Sequence, residues 1–149
     1  MSLFESHALP KEHWTHEAHL AVAILFLKKY RHYDAICRLK AGIMTLNAAH
    51  GTANTAEGGY HETLTLFWIS VISLFIERHP SFTEAETVNA FVHSPLANKH
   101  LPFLFYSRET VLSEMGRAHY VSPDVHPVTK ETVHAVLEGK ALSSAPATS

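Results

Sequence analysis

The sequence predicts an all-α fold: one helical domain over residues 1–139, built on an up-down-up core of three long helices followed by shorter ones. Three observations predict it. Apolar residues recur at the helical period of about 3.6 residues in three long stretches. No run alternates apolar and polar residues as a half-buried strand does. Cap residues and helix breakers fall where those stretches begin and end. The chain of 149 residues is long enough to bury one sizeable core, and its 46% hydrophobic share suits a globular protein.

The opening dozen residues read as a lead-in arm that packs through Leu3, Phe4 and Leu9. The first helix starts near Thr15, an N-cap residue, with Glu17 favoured by the helix dipole in the first turn. His16, Leu20, Ala23, Leu27 and Tyr30 form its stripe, and its middle is apolar almost all round, which predicts a central position. The second helix runs from Asp34, as N-cap, to His50, and Gly51 stops it. Its apolar line is Ile36, Leu39, Ile43 and Leu46, continued by His50.

A loop from Gly51 to Gly59 precedes the third helix, placed at about Tyr60 to His79 because Pro80 forbids its extension. Leu64, Phe67, Trp68, Val71, Ile72 and Phe75 give it a broad buried face, and Trp68 with the phenylalanines reads as core. Thr83 and Glu86 match a capping box and open a fourth helix from Glu84 to about His93. Ser107 caps a helix in "RETVLSEMG", and a last helix covers Thr129 to Leu137. The end, "KALSSAPATS", is small and polar and predicts a disordered tail at residues 140–149.

Charge and cysteine content exclude several functions. The net charge of -2 and the scattered lysines and arginines give no pull toward nucleic acid. The single Cys37, in a helical pattern, excludes an internal disulfide and a multi-cysteine zinc site, and reads as a small core or boundary residue. "MSLFESHALPKEHW" lacks the build of a signal peptide, and "LAVAILFL" is too short to cross a bilayer. The expectation is a cytoplasmic protein with no membrane partner.

The unusual content is histidine, with 13 residues spread along the chain. In an up-down-up bundle the start of the first long helix, the end of the second and the start of the third share one pole. Those places hold His16 and His19, His50, and His61 with Glu62. His16 and His19 are i,i+3 partners on one helix. His16 and His61 stand at helix N-termini, where the dipole keeps imidazole neutral, the form needed by a metal ligand or a base. The predicted site therefore has His16, His19, His50 and His61 as ligands of a divalent transition metal, which could be zinc, iron, copper, nickel or manganese. Glu62 and His61 are the candidate catalytic groups, and a three-ligand metal with an open position would activate water or dioxygen, as in a hydrolase or an oxidoreductase.

Free amides at Gly58 and Gly59 could hold an anionic small molecule beside His61, with Arg108 or Arg117 folding back to pair with it. Each feature has a plainer explanation. Glu17 and Glu62 complement helix dipoles, His50 satisfies the last carbonyls of its helix, and the glycines supply only a sharp turn. The arginines would then stitch a loop to a helix. HExxH and paired ExxH motifs are missing, so neither a zincin nor a carboxylate-bridged di-iron centre is predicted. Ser107 has no His–Asp arrangement of a hydrolase triad. The alternative function is a non-catalytic module that encloses a small ligand or pairs with its twin as a homo-oligomer.

The segments "WTHEAHLAVAILFLKKY", "LKAGIMTLNAAHG", "GGYHETLTLFW" and "YSRETVLSEMGRAHYVSPD" resemble a group of small helical bacterial proteins. The resemblance spans most of the chain. It implies one compact domain and carries no activity or catalytic residue with it.

Overall fold

The computed structural model describes residues 2–55 and 57–143, so residues 144–149 of the expected tail lie outside the described residues. Among the described residues the fold is helical throughout, with no strand. The helices are α1 (Ser2–Glu5), α2 (His16–Lys29), α3 (His32–Ala49), α4 (Glu62–Arg78), α5 (Glu84–Val92), α6 (Pro102–Phe105), α7 (Arg108–Val111), α8 (Glu114–Ala118) and α9 (Lys130–Leu137). Single turns of 3-10 helix at Lys11–His13 and Pro95–Ala97 join them.

Caps determine most of the boundaries. Thr15 accepts from the Ala18 amide and starts α2, and Thr83 and Glu86 form the expected capping box of α5. Thr129 caps α9 in the same reciprocal way through Thr132. Helix α3 departs from expectation at its start. It begins at His32 after an extended Arg31, and Asp34 lies within the first turn, where it pairs with Arg38 at 3.0 Å. The "RETVLSEMG" stretch also differs. Ser113 caps a second helix there, so one expected helix becomes α7 and α8.

Helix α2 is central, packing against α3, α4 and α5. Its Leu20, Ile24 and Phe26 meet Leu39 and Leu46 of α3 and Phe67, Ile72 and Phe75 of α4 in one buried cluster. Tyr106 joins the core with its hydroxyl donating to the Val121 carbonyl at 2.6 Å. Of the N-terminal arm, Phe4 is buried and Leu3 exposed. Phe4 lies so close to α3 that a Cβ at Gly42 would come within 2.6 Å of its ring, so a larger residue there would displace the ring. Cys37 is exposed, correcting its reading as a core or boundary residue, because the buried face of α3 runs through Ala35, Leu39, Gly42 and Leu46 instead. No described helix is long and apolar enough to cross a membrane.

Candidate functional site

The start of α2, the end of α3 and the start of α4 border a cavity of about 510 Å³. Its apolar wall comes from Leu20 and Ala23 of α2, Leu39 and Ile43 of α3, and Leu64 and Ile69 of α4. Trp14 and Trp68, the only two tryptophans of the chain, both face it. The polar lining consists of His16, His19, His61, Asn47, Thr52, Tyr60 and Thr65.

Each histidine ring is held by a backbone carbonyl. His16 donates Nε2–H to Ala97 O at 2.8 Å, which ties α2 to the 3-10 turn after α5. His19 donates Nδ1–H to Thr15 O at 2.7 Å, one turn back on its own helix. The Trp14 indole stacks on His19 with ring centroids 3.6 Å apart, and Trp68 meets His16 edge-on at 5.2 Å. Burial pushes the His19 pKa down, against the pull of the Thr15 carbonyl, and neighbouring His16 lowers it further.

His61 does not start α4 as a free ligand. It is the N-cap, its Nδ1 accepting from the Leu64 amide at 3.1 Å while Nε2–H donates to Val111 O at 2.7 Å. Both ring nitrogens are committed, so the ring is neutral with its proton on Nε2. Burial lowers its pKa, the Val111 carbonyl opposes that, and the nearby Arg117 guanidinium adds to the lowering. The α4 N-terminus and the Val111 carbonyl together give a buried imidazole a cap where Ser, Thr or Asp is usual.

Glu62 lies outside the cavity lining. Its carboxylate accepts from Tyr60 Oη at 2.7 Å and pairs with Lys40 Nζ of α3 at 2.9 Å. Burial works to raise its pKa, but the bonds from Tyr60 and Lys40 outweigh it and hold it low. Such a carboxylate braces α3 against α4 and is a poor proton acceptor. His50, the C-cap of α3, also lies outside the lining. It donates Nε2–H to Leu9 O at 2.7 Å and fastens the N-terminal arm.

The glycines and arginines divide similarly. Gly59 has φ +82°, and a Cβ there would fall 2.6 Å from Ala53 O, so this glycine makes the turn into α4 possible. Gly59 borders the cavity, whereas Gly58 does not; the Gly58 amide donates to Thr55 Oγ1 at 3.1 Å. Arg108 lies over the Phe103 ring at 4.4 Å, away from the cavity. Arg117 is the arginine that returns, and it donates to Gly59 O at 3.0 Å, stitching the loop to α8. Neither arginine lines the cavity.

The expected convergence is therefore partial. His16, His19 and His61 border one space, and His50, Glu62, Gly58 and Arg108 do not. Among the described residues no group of three or more His, Cys, Asp or Glu side chains is gathered as a metal ion requires. Trp14, Trp68, Asn47, Thr52, Tyr60 and Thr65 were not foreseen as site residues. Trp14 two positions before His16, and Tyr60 directly before His61, are the signals that were present. Trp68 packs against the core, as expected, and also borders the cavity. Compared with known proteins, the chain matches no family model, no curated protein and no solved structure.

Proposed function

We propose that this protein binds a small organic molecule in the cavity between α2, α3 and α4. The cavity carries the reading: about 510 Å³, walled by apolar side chains and interrupted by a few polar groups, it has the size and lining of a small-ligand site. An up-down-up order of the three long helices belongs to the same reading. It is supported by the way His16, Asn47 and Tyr60, from the start of α2, the end of α3 and just before α4, border one space.

A second reading is a transition metal bound by His16 and His19. In its favour, each ring gives one N–H to a backbone carbonyl and keeps its other nitrogen unprotonated, as ligating histidines do. Two imidazoles are fewer than the three protein ligands of typical catalytic zinc sites, so exogenous groups would have to complete the shell. Water or dioxygen activation at such a metal would make the protein a hydrolase or an oxidoreductase.

The tryptophans supply the test. A library of small organic compounds is screened by intrinsic fluorescence together with thermal unfolding. A compound that shifts the emission of Trp14 and Trp68 and raises Tm is expected, and Ile43→Trp, which fills the cavity, should abolish both responses. Binding unaffected by Ile43→Trp would remove the ligand from this cavity. Elemental analysis of untagged protein addresses the metal. Less than about a tenth of an equivalent, not recovered when zinc, iron, copper, nickel or manganese is added, rejects the second reading.

A further inference from the structure

The hydrogen bonds of the cavity wall narrow the kind of molecule it can hold. A neutral imidazole has one N–H and one lone pair. His16 and His19 have each given the N–H to a carbonyl, Ala97 O and Thr15 O, so each ring keeps only an acceptor, Nδ1 on His16 and Nε2 on His19. Neither of these nitrogens has a hydrogen-bond partner among the described residues. Of the other polar groups of the wall, three are taken, while the buried Trp14 indole N–H has no partner among the described residues. His61 uses both nitrogens, Tyr60 donates to Glu62, and Thr65 donates to His61 O at 2.7 Å. The uncommitted capacity of the histidine pair is thus one-sided: it accepts and cannot donate.

Charge narrows the choice further. No Lys, Arg, Asp or Glu borders the cavity, so an ionised ligand would be desolvated without a counter-charge, at heavy cost. A carboxylate would also set acceptor against acceptor at the two rings. Shape is the third restriction. Trp14 lies flat on His19 with 26° between the ring planes, and Trp68 braces His16 edge-on, so the acceptors are framed by rigid planar walls.

Resting on the cavity reading above, we propose that the ligand is an uncharged, planar aromatic molecule whose hydroxyl or ring N–H donates to the free ring nitrogens of His16 and His19. A site built to accept from a hydroxyl discriminates against the analogue that lacks it, because its own acceptors are then buried without partners.

Three probes of similar size separate the possibilities. 2-Naphthol, its methyl ether 2-methoxynaphthalene, and 2-naphthoate are titrated calorimetrically into the full chain at neutral pH. Naphthol is expected to bind about 10-fold more tightly than the ether, the worth of one good hydrogen bond, with naphthoate the weakest of the three. His16→Phe and His19→Phe should each bring the naphthol-to-ether ratio toward unity, while His100→Phe, at an exposed position outside the cavity lining, leaves it intact. An ether that matches naphthol, or naphthoate binding as tightly as naphthol, overturns the ligand class in the wild-type chain without recourse to any variant. A ratio kept in full by both His16→Phe and His19→Phe overturns the assignment to the histidines. Failure of all three probes overturns this proposal, and the cavity reading falls with it only if the library screen also finds no compound sensitive to Ile43→Trp.

Discussion

One ring at the start of α4 does three things. His61 caps the helix through Nδ1, satisfies the Val111 carbonyl through Nε2–H, and forms part of the cavity wall. Its removal therefore costs stability before it touches any ligand. His61→Ala is expected to lose about 2–4 kcal/mol, the sum of a lost cap and a buried carbonyl left without a partner, measured by urea unfolding. His61→Asn restores the cap alone and should recover roughly 1 kcal/mol of that. The same ring gives stability a pH dependence. Burial holds the folded pKa of His61, and of His19, below the ordinary 6.5. The unfolded chain takes up protons below 6.5 that these folded rings refuse, so stability is full above that pH and falls as the solution is acidified. Protonation of His61 would also turn its Nδ1 from an acceptor into a donor facing the Leu64 amide. Urea midpoints measured from pH 8 downward should be level and then decline below about 6.5, with a shallower decline in His61→Asn.

At the scale of an element, the turn into α4 is the most heavily tied segment of the site. Asn54 Oδ1 accepts from the Tyr60 amide at 2.9 Å, Arg117 holds the Gly59 carbonyl, and Thr63 Oγ1 sits between His119 O and the Val121 amide. The C-terminal segment thus clamps the loop that borders the cavity. Gly59→Ala forces a Cβ into left-handed backbone and toward Ala53 O; the backbone term alone is expected to cost about 1–2 kcal/mol. Because the strain falls on the cavity border, hydrogen exchange should accelerate at the Tyr60 and Leu64 amides while α5 and α9 keep their protection. Uniform loss of protection across the chain would mean that the turn is not a local unit. A second knot holds α7 in place: Asp124 accepts from the Ser107 amide, Ser107 Oγ and Thr110 Oγ1, and these bonds pull its pKa down to about 2. Ser107 is used there as a cap, its hydroxyl bonded to Asp124 and Thr110.

At the scale of the molecule, the N-terminal arm closes one side of α3. The Phe4 ring is buried against Gly42, Trp14 and Phe26, and Leu9 O accepts a hydrogen bond from His50 Nε2–H. Phe4→Ala is expected to destabilise the protein by about 3–5 kcal/mol, read from chemical unfolding. It also removes a neighbour of Trp14, so the emission of that tryptophan should shift in the folded variant. The helical class, the caps at Thr15 and Thr83, the last helix near Thr129, and the stop at Gly51 were legible in the sequence, because each depends on contacts within about four residues. Of the histidines expected at one pole, His16, His19 and His61 border one space and His50 does not. What each ring does there was not legible. Periodicity assigns a residue to a face of its helix, but the partner of a ring nitrogen comes from a distant part of the chain. Val111 O accepts the hydrogen bond of His61 from 50 positions away, Ala97 O that of His16 from 81, and Leu9 O that of His50 from 41. Local patterns, set by short-range backbone geometry, determined the helices; only the packed chain decided which imidazoles serve as struts and which keep a lone pair free beside the cavity.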